Sequence, residues 1–270
     1  MVKKIANSIT ASNVTKYASA TKTQTFSLGA KAKGGKLSYK SDNSKVTVNS
    51  SGQVTIAKNY AGTAKITITT AGDSTYGTAT KTITVTVNQI SNTITASGFT
   101  KTYSTKNQTF SIGAKRNGSG KVTYASSSRS VTVSSTGSVT VAAKYMGKAT
   151  ITIKVAASGI YKAASKTITV TVLPTKTALS GAANVTGLKM TVKWAKNTVG
   201  TGYQIQYSTD KNFKTGVKTV TVKSNSTVST TVSELIKGKT YYVRIRTYKT
   251  VSGTNYYSGW STAKSVKIVK

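Results

Sequence analysis

The strongest constraint on this chain is that it repeats itself. Residues 7–87 open with NSITASNVTK and close with ATKTITVTV, and residues 92–172 open with NTITASGFTK and close with ASKTITVTV, an offset of 85 residues at either end. Between these ends, KLSYKSDNSKVTVNSSGQVTI from Lys36 matches KVTYASSSRSVTVSSTGSVTV from Lys121. AKITITTAGDSTYGTATKTITVTV from Ala64 likewise matches ATITIKVAASGIYKAASKTITVTV from Ala149. Solenoid repeats run to roughly 20–45 residues, so a unit of this length reads as a small sandwich domain present twice.

Within each copy the apolar residues alternate. Phe26 and Leu28, Val46 and Val48, Val54 and Ile56, Ile66 and Ile68, and Ile83, Val85 and Val87 are each separated by one residue, mostly Thr, Ser or Lys. Period two is the pattern of a half-buried strand, and the turns between the runs contain glycine, as in AKGGK and NSSGQ. No stretch carries a helical period. Pro174 stands alone in LPTKTALSGAANVTG and reads as a linker, because proline cannot continue a central ladder. From about Thr177 onward the chain matches neither copy, yet LKMTVKWAK, GYQIQYST, VKTVTVK, TYYVRIRTY and AKSVKIVK keep the strand signature. The expectation is an all-β chain of three immunoglobulin-like β-sandwiches in series, over residues 1–90, 91–174 and 175–270.

The chemistry open to such a chain is narrow. With no His and no Cys among 270 residues, it lacks the commonest general base, the commonest metal ligand and the thiolate nucleophile. Its acids are Asp42, Asp73, Asp210 and Glu234, too scattered for a paired-carboxylate mechanism or a carboxylate metal site. The reading is therefore not an enzyme, with no catalytic residue, cofactor or metal. Against these 4 acids stand 39 Lys and Arg, a net charge of +35. The lysines rarely run beyond doublets such as Lys3 and Lys4, so the charge is spread over the whole chain. Charge so distributed acts weakly on a small ligand and adds up along a polyanion, because the screening length is about 8 Å at physiological salt. No recognition helix, basic-aromatic single-strand groove or zinc motif points to specific nucleic-acid reading. No apolar run approaches a membrane span. The start MVKKIANSIT has a basic pair without the apolar segment of a leader, so export by another route or a leader preceding Met1 both fit.

One constellation stands out. In TYYVRIRTY, alternation sends Tyr241, Val243 and Ile245 inward and Tyr242, Arg244, Arg246 and Tyr248 to the opposite, exposed face. Gln204 and Gln206 join that face if Tyr203, Ile205 and Tyr207 point inward, and NYYSGWS adds Tyr256, Tyr257 and Trp260. Flat rings beside guanidinium forks make Tyr242, Arg244, Arg246, Tyr248, Tyr257 and Trp260 a candidate ligand-binding face for acidic glycans. The same residues suit a purely structural arrangement in which Trp260 stacks over Arg244 or Arg246 as a cation–π ladder.

Two resemblances bear on this. The SKVTVNSSGQVTI and SVTVSSTGSVTV hairpins, with the endings at Gly72 to Val87 and Ala157 to Val172, resemble tandem bacterial immunoglobulin-like domains, with Ala157 in place of the first glycine. The third stretch resembles a fibronectin type III module through Trp194 in TVKW, Tyr203 in GYQIQY, and Leu235 with Tyr241 in LIKGKTYYVRIR. Both resemblances imply non-catalytic spacer or adhesive modules displayed outside cells or on phage particles. The functional expectation is a rigid, basic extracellular segment of a bacterial surface. Short linkers near Asn88–Ser91 and Pro174 limit its bending, its partners are anionic glycans or cell-wall polymers, and it serves other proteins of a larger assembly. The alternative is a phage virion structural protein, a head decoration or tail component that promotes adherence to a surface or to mucus.

Overall fold

A computed structural model describes residues 3–269; Met1, Val2 and Lys270 lie outside it. Every regular element among the described residues is a strand. The first copy contains β1 (Ile9–Thr10), β2 (Val14–Tyr17), β3 (Gln24–Ser27), β4 (Lys31–Ala32), β5 (Leu37–Ser41), β6 (Val46–Val48), β7 (Gln53–Ile56), β8 (Gly62–Thr70) and β9 (Ala79–Asn88). The second contains β10 (Ile94–Thr95), β11 (Phe99–Thr102), β12 (Gln108–Ser111), β13 (Lys115–Arg116), β14 (Val122–Ser126), β15 (Val131–Val133), β16 (Ser138–Val141), β17 (Gly147–Val155) and β18 (Ala164–Leu173).

The copies share one topology. Sheets ordered β2-β9-β8-β5 and β3-β7-β6, with a short β1-β4 ribbon, recur as β11-β18-β17-β14, β12-β16-β15 and β10-β13. The alternate apolar residues of both sheets meet in one core: Val46, Val54 and Ile56 from the smaller sheet, Ile66, Ile68, Ile83 and Val85 from the larger. Their counterparts Val131, Val139, Val141, Ile151, Ile153, Ile168 and Val170 are buried in the same way. In each copy the early strand lies parallel to the last one, Val14 opposite Val85 and Phe99 opposite Val170. The other strand pairs of the first copy are antiparallel, β5 with β8 and β8 with β9 among them. The hairpins that carry the repeat signature turn at Gly52 and Gly137, at φ +76 and +79, where a Cβ would fall 2.8 Å and 2.9 Å from the Cζ atoms of Tyr39 and Tyr124. Glycine supplies both the left-handed backbone and the room for the ring.

The chain divides into two compact units, Met1–Ala96 with Ala114–Thr123 and Ile153–Lys166, and Ser97–Gly113 with Tyr124–Thr152 and Thr167–Lys270. Inside the first unit, the loop around Ile160 closes on the first copy. Ile160 is only 4% exposed and belongs to the same apolar cluster as Ile9, Val85 and Val87. The backbone fixes it there: the Ile90 N–H donates to the Ile160 carbonyl (2.8 Å), the Lys162 N–H to that of Ile90 (2.9 Å), and Gln89 Nε2 to that of Gly159 (2.8 Å). In the first copy the equivalent position is Thr75, which is exposed. An isoleucine stands where the loop meets another core, and a threonine where it meets water.

After Pro174 come β19 (Leu179–Val185), β20 (Lys189–Trp194), β21 (Gly202–Ser208), β22 (Lys218–Val222), β23 (Ser229–Val232), β24 (Thr240–Val251), β25 (Thr254–Tyr257) and β26 (Lys264–Lys267). The sheet β19-β20-β23 faces β22-β21-β24, with β25 and β26 both paired to β24. Met190, Val192 and Trp194 of the first sheet pack against Tyr203, Ile205, Val243 and Ile245 of the second. The Trp194 ring meets Tyr203 edge-on at 5.3 Å. The Tyr241 hydroxyl accepts the Ile236 N–H at 3.3 Å and pins the turn into β24. Leu179–Val185, which alternation leaves unmarked as a strand, is β19, built from small residues that hide the period.

Replacing Ile160 with the threonine of its counterpart is expected to destabilise the first unit by about 2 kcal/mol, the cost of losing buried aliphatic surface and burying a hydroxyl. Hydrogen exchange is the measurement: the Ile90 and Lys162 amides should exchange faster in Ile160→Thr, while the β8 amides keep their relative order of protection.

Candidate functional site: a guanidinium–aromatic ladder

β21 and β24 run antiparallel with Gln206 opposite Arg244 and Gln204 opposite Arg246. Because Tyr203, Ile205, Val243 and Ile245 fill the core, these four polar residues share the outer face. Each arginine grips its cross-strand glutamine twice. Arg244 Nε and Nη2 donate to Gln206 Oε1 at 3.1 and 2.6 Å, and Arg246 Nε and Nη2 donate to Gln204 Oε1 at 2.8 and 2.5 Å. The neutral amides orient the guanidinium groups without neutralising them.

Aromatic rings interleave with the oriented cations. From ring centroid to guanidinium carbon, Phe213 lies 4.1 Å from Arg244, Trp260 lies 4.5 Å from Arg244 and 4.3 Å from Arg246, and Tyr257 lies 3.9 Å from Arg246. The order is Phe213, Arg244, Trp260, Arg246, Tyr257, each cation between two rings. Burial pulls the pKa of both arginines down from the ordinary value, and in Arg246 the neighbouring Arg244 adds to the effect while Tyr257 opposes it. A guanidinium starts so far above neutrality that both remain charged.

Two serines set the Trp260 segment in place. Residues 258–263 leave regular pairing between β25 and β26, but Ser258 and Ser261 continue it with side chains. The Ser258 N–H donates to the Thr247 carbonyl (2.9 Å) and Ser258 Oγ accepts the Thr247 N–H (3.0 Å). Ser261 repeats both bonds with Ile245, at 2.8 and 3.1 Å. Hydroxyls replacing one strand's backbone groups free the chain to swing Trp260 over the arginines. At the other end, Asp210 folds the loop that presents Phe213: its Oδ1 accepts the Asn212 N–H (2.9 Å) and its Oδ2 those of Lys214 (2.8 Å) and Thr215 (3.1 Å). Phe213 itself sits at φ +54, a conformation this clamped turn imposes.

Of the residues expected on this face, Arg244, Arg246, Tyr257 and Trp260 come together. Tyr248 does not form part of an exposed stripe: it is 5% exposed, packed beside Tyr257 at 6.0 Å between centroids and roofing Gly202, where a Cβ would lie 3.0 Å from its ring. Tyr242 lies on the same face, opposite Ser208 and Ser265, and makes none of the ladder's cation–π contacts. Phe213 escaped the alternation argument because it stands alone in a polar turn, DKNFKTG; the acid three residues before it was the available signal. Among the described residues no group of three or more His, Cys, Asp or Glu lies together.

Residues 174–264 match the fibronectin type III domain family. The matched stretch contains Trp194, the Tyr241 turn and the whole ladder. Similar solved structures include titin domains at 13% identity, covering 97% of this chain and 99% of that one with a TM-score of 0.37. The chicken CNTN1 FN1–FN3 domains follow at 12% identity, 97% and 98% coverage and a TM-score of 0.33. A Fn3-like protein from Clostridium thermocellum, at 17% identity and a TM-score of 0.29, covers 36% of this chain and 95% of its own. No curated protein matches the chain.

Two outcomes test the ladder. Arg246→Ala uncovers faces of Trp260 and Tyr257 at once and should cost about 2 kcal/mol, lowering the thermal midpoint by several degrees and shifting Trp260 emission to the red. Asp210 has its pKa lowered by backbone donors, first those of Asn212 and Lys214. Its contribution is therefore fully present above the ordinary carboxylate value and is lost as pH falls through the depressed one. NMR should show the Asp210 carboxyl titrating below 3.8, with the Phe213 ring shifts following it, whereas Asp210→Asn removes that titration.

Proposed function

We propose that the chain is a non-catalytic display and adhesion segment of a bacterial cell surface. In this reading its two copies are bacterial immunoglobulin-like domains, and its basic surface holds a larger assembly against anionic glycans or cell-wall polymers. The observation that carries the proposal is where the few acids are spent. Asp42 Oδ1 accepts the Lys65 N–H (2.8 Å), Asp73 Oδ1 those of Thr75 and Tyr76 (2.8 Å each), and Asp210 the three amides of its own loop. Carboxylates engaged by backbone amides are poor counterions for lysines, and the net +35, which already counts all four acids, is left to be answered from outside.

The outer faces of the sheets suit a long partner better than a small one. Lys40, Lys45, Lys58 and Lys65 are exposed at separate points of the first copy, and Lys121, Lys148 and Lys154 at separate points of the second. Isolated cations bind a polymer through many weak contacts, each releasing a counterion.

The test is binding of an immobilised acidic polysaccharide at a series of salt concentrations. Affinity should fall linearly on a double-logarithmic plot, by at least about tenfold between 50 and 200 mM salt. A neutral polysaccharide bound equally well, or an affinity indifferent to salt, would overturn the proposal.

A further inference from the structure

The third sandwich has an open seam where its two sheets part. At one side, the segment before β19 is tied inward: the Ala195 N–H donates to the Ala178 carbonyl (3.0 Å), and the Thr177 hydroxyl donates to the Ala195 carbonyl. At the other side, residues 258–263 are drawn to β24 through Ser258 and Ser261. β19 and β26 belong to different sheets, and the space between the two segments is a groove of about 700 Å³. That volume lies within the range of about 300–1,000 Å³ typical of ligand sites.

The lining has two distinct parts. Ala178, Ala195 and Ala263, with Trp260, make a shallow apolar floor, and Lys176, Lys196 and Lys264 stand around it, all exposed. Lys176 crosses directly over Gly259, where a Cβ would fall 2.7 Å from Lys176 Cε and 3.2 Å from its Nζ, so the missing side chain lets the ammonium lie along the groove. None of Asp42, Asp73, Asp210 and Glu234 lines the groove. Methyl groups below and ammonium groups above match a ring that is apolar on its C–H face and anionic at its edge. Trp260 cannot offer a free face for base stacking, since Arg244 and Arg246 lie 4.5 and 4.3 Å from its centroid.

We propose that this groove binds an acidic saccharide, a pyranose chain bearing carboxylate or sulfate groups, with Lys176, Lys196 and Lys264 pairing the anions and the alanine floor receiving the sugar ring. The inference rests on the polyanion reading above and gives it one defined site. It differs from the ladder: the arginines shape Trp260, and the lysines do the binding.

Calorimetry on the full chain tests it with three probes of matched charge: a heparin-derived hexasaccharide, an oligogalacturonate and a polyphosphate. Changing Lys176, Lys196 and Lys264 together to alanine should weaken both saccharides on the order of tenfold. Changing Lys22, Lys33 and Lys36, an exposed triple of equal charge on the first copy, should weaken them less than about twofold. Ala178→Trp fills the floor without altering charge and should weaken both saccharides while leaving polyphosphate unchanged, with the thermal midpoint confirming that it folds. The preferred saccharide of the two distinguishes sulfate from uronate sources. Equal losses in the two lysine triples, unaltered binding in Ala178→Trp, or polyphosphate bound as tightly as the sugars and equally weakened by Ala178→Trp would overturn the groove and leave the functional reading standing. A wild-type chain that binds none of the three at low salt would overturn both.

Discussion

Everything in this molecule depends on β-branched side chains pointing inward at every second position. Val54, Ile56, Ile66, Ile68, Ile83 and Val85 hold the first copy together, and the same register 85 residues later holds the second. Period two leaves no choice about the other face: once Val243 and Ile245 are in the core, Arg244 and Arg246 are outside, side by side, with their charges unrelieved. The ladder of rings and glutamines is the way the sheet accommodates that pair. Burial of the hydrocarbon is thus the cause, and the cation–π stack a consequence with its own chemistry.

This explains what could be read from the sequence. Strands rich in Val, Ile and Thr announced themselves, as did Trp194, Tyr203 and the Tyr241 turn, because each residue's identity is set by its own strand. β19 did not, since LSGAANV has little contrast between its two faces. Arg244 and Arg246 were visible as a strand-face pattern with Tyr257 and Trp260 close behind in sequence, but Phe213 arrives from a turn and Tyr248 is packed beside Tyr257 across its own hairpin. Ile160 was equally opaque: a single aliphatic residue in a loop carries no period, and only its contrast with Thr75 one repeat earlier hints at what it meets.

Positive charge is handled differently at the ladder and elsewhere. Arg244 and Arg246 are stacked between rings and gripped by amides, whereas Arg116, Arg129 and most lysines stand exposed, with Lys16 and Lys101 lying over Phe26 and Phe110. Three of the four carboxylates are spent on backbone amides, Asp42 on that of Lys65 in β8 and Asp73 and Asp210 on those of their own loops. The stacked cations thus take their geometry from rings and amides of the chain itself and need no carboxylate to hold it.

The parallel pairing within each copy has a mechanical consequence. Val14 to Tyr17 run beside Val85 to Asn88 in the same direction, so one strand leads into the copy and the other leads out of it at the opposite end. Tension along the chain slides the two past each other, and the hydrogen bonds between them are strained together in shear, whereas a hairpin would be unzipped one bond at a time. A copy built this way resists pulling by a clamp whose strength is collective, and yields abruptly when that clamp gives way.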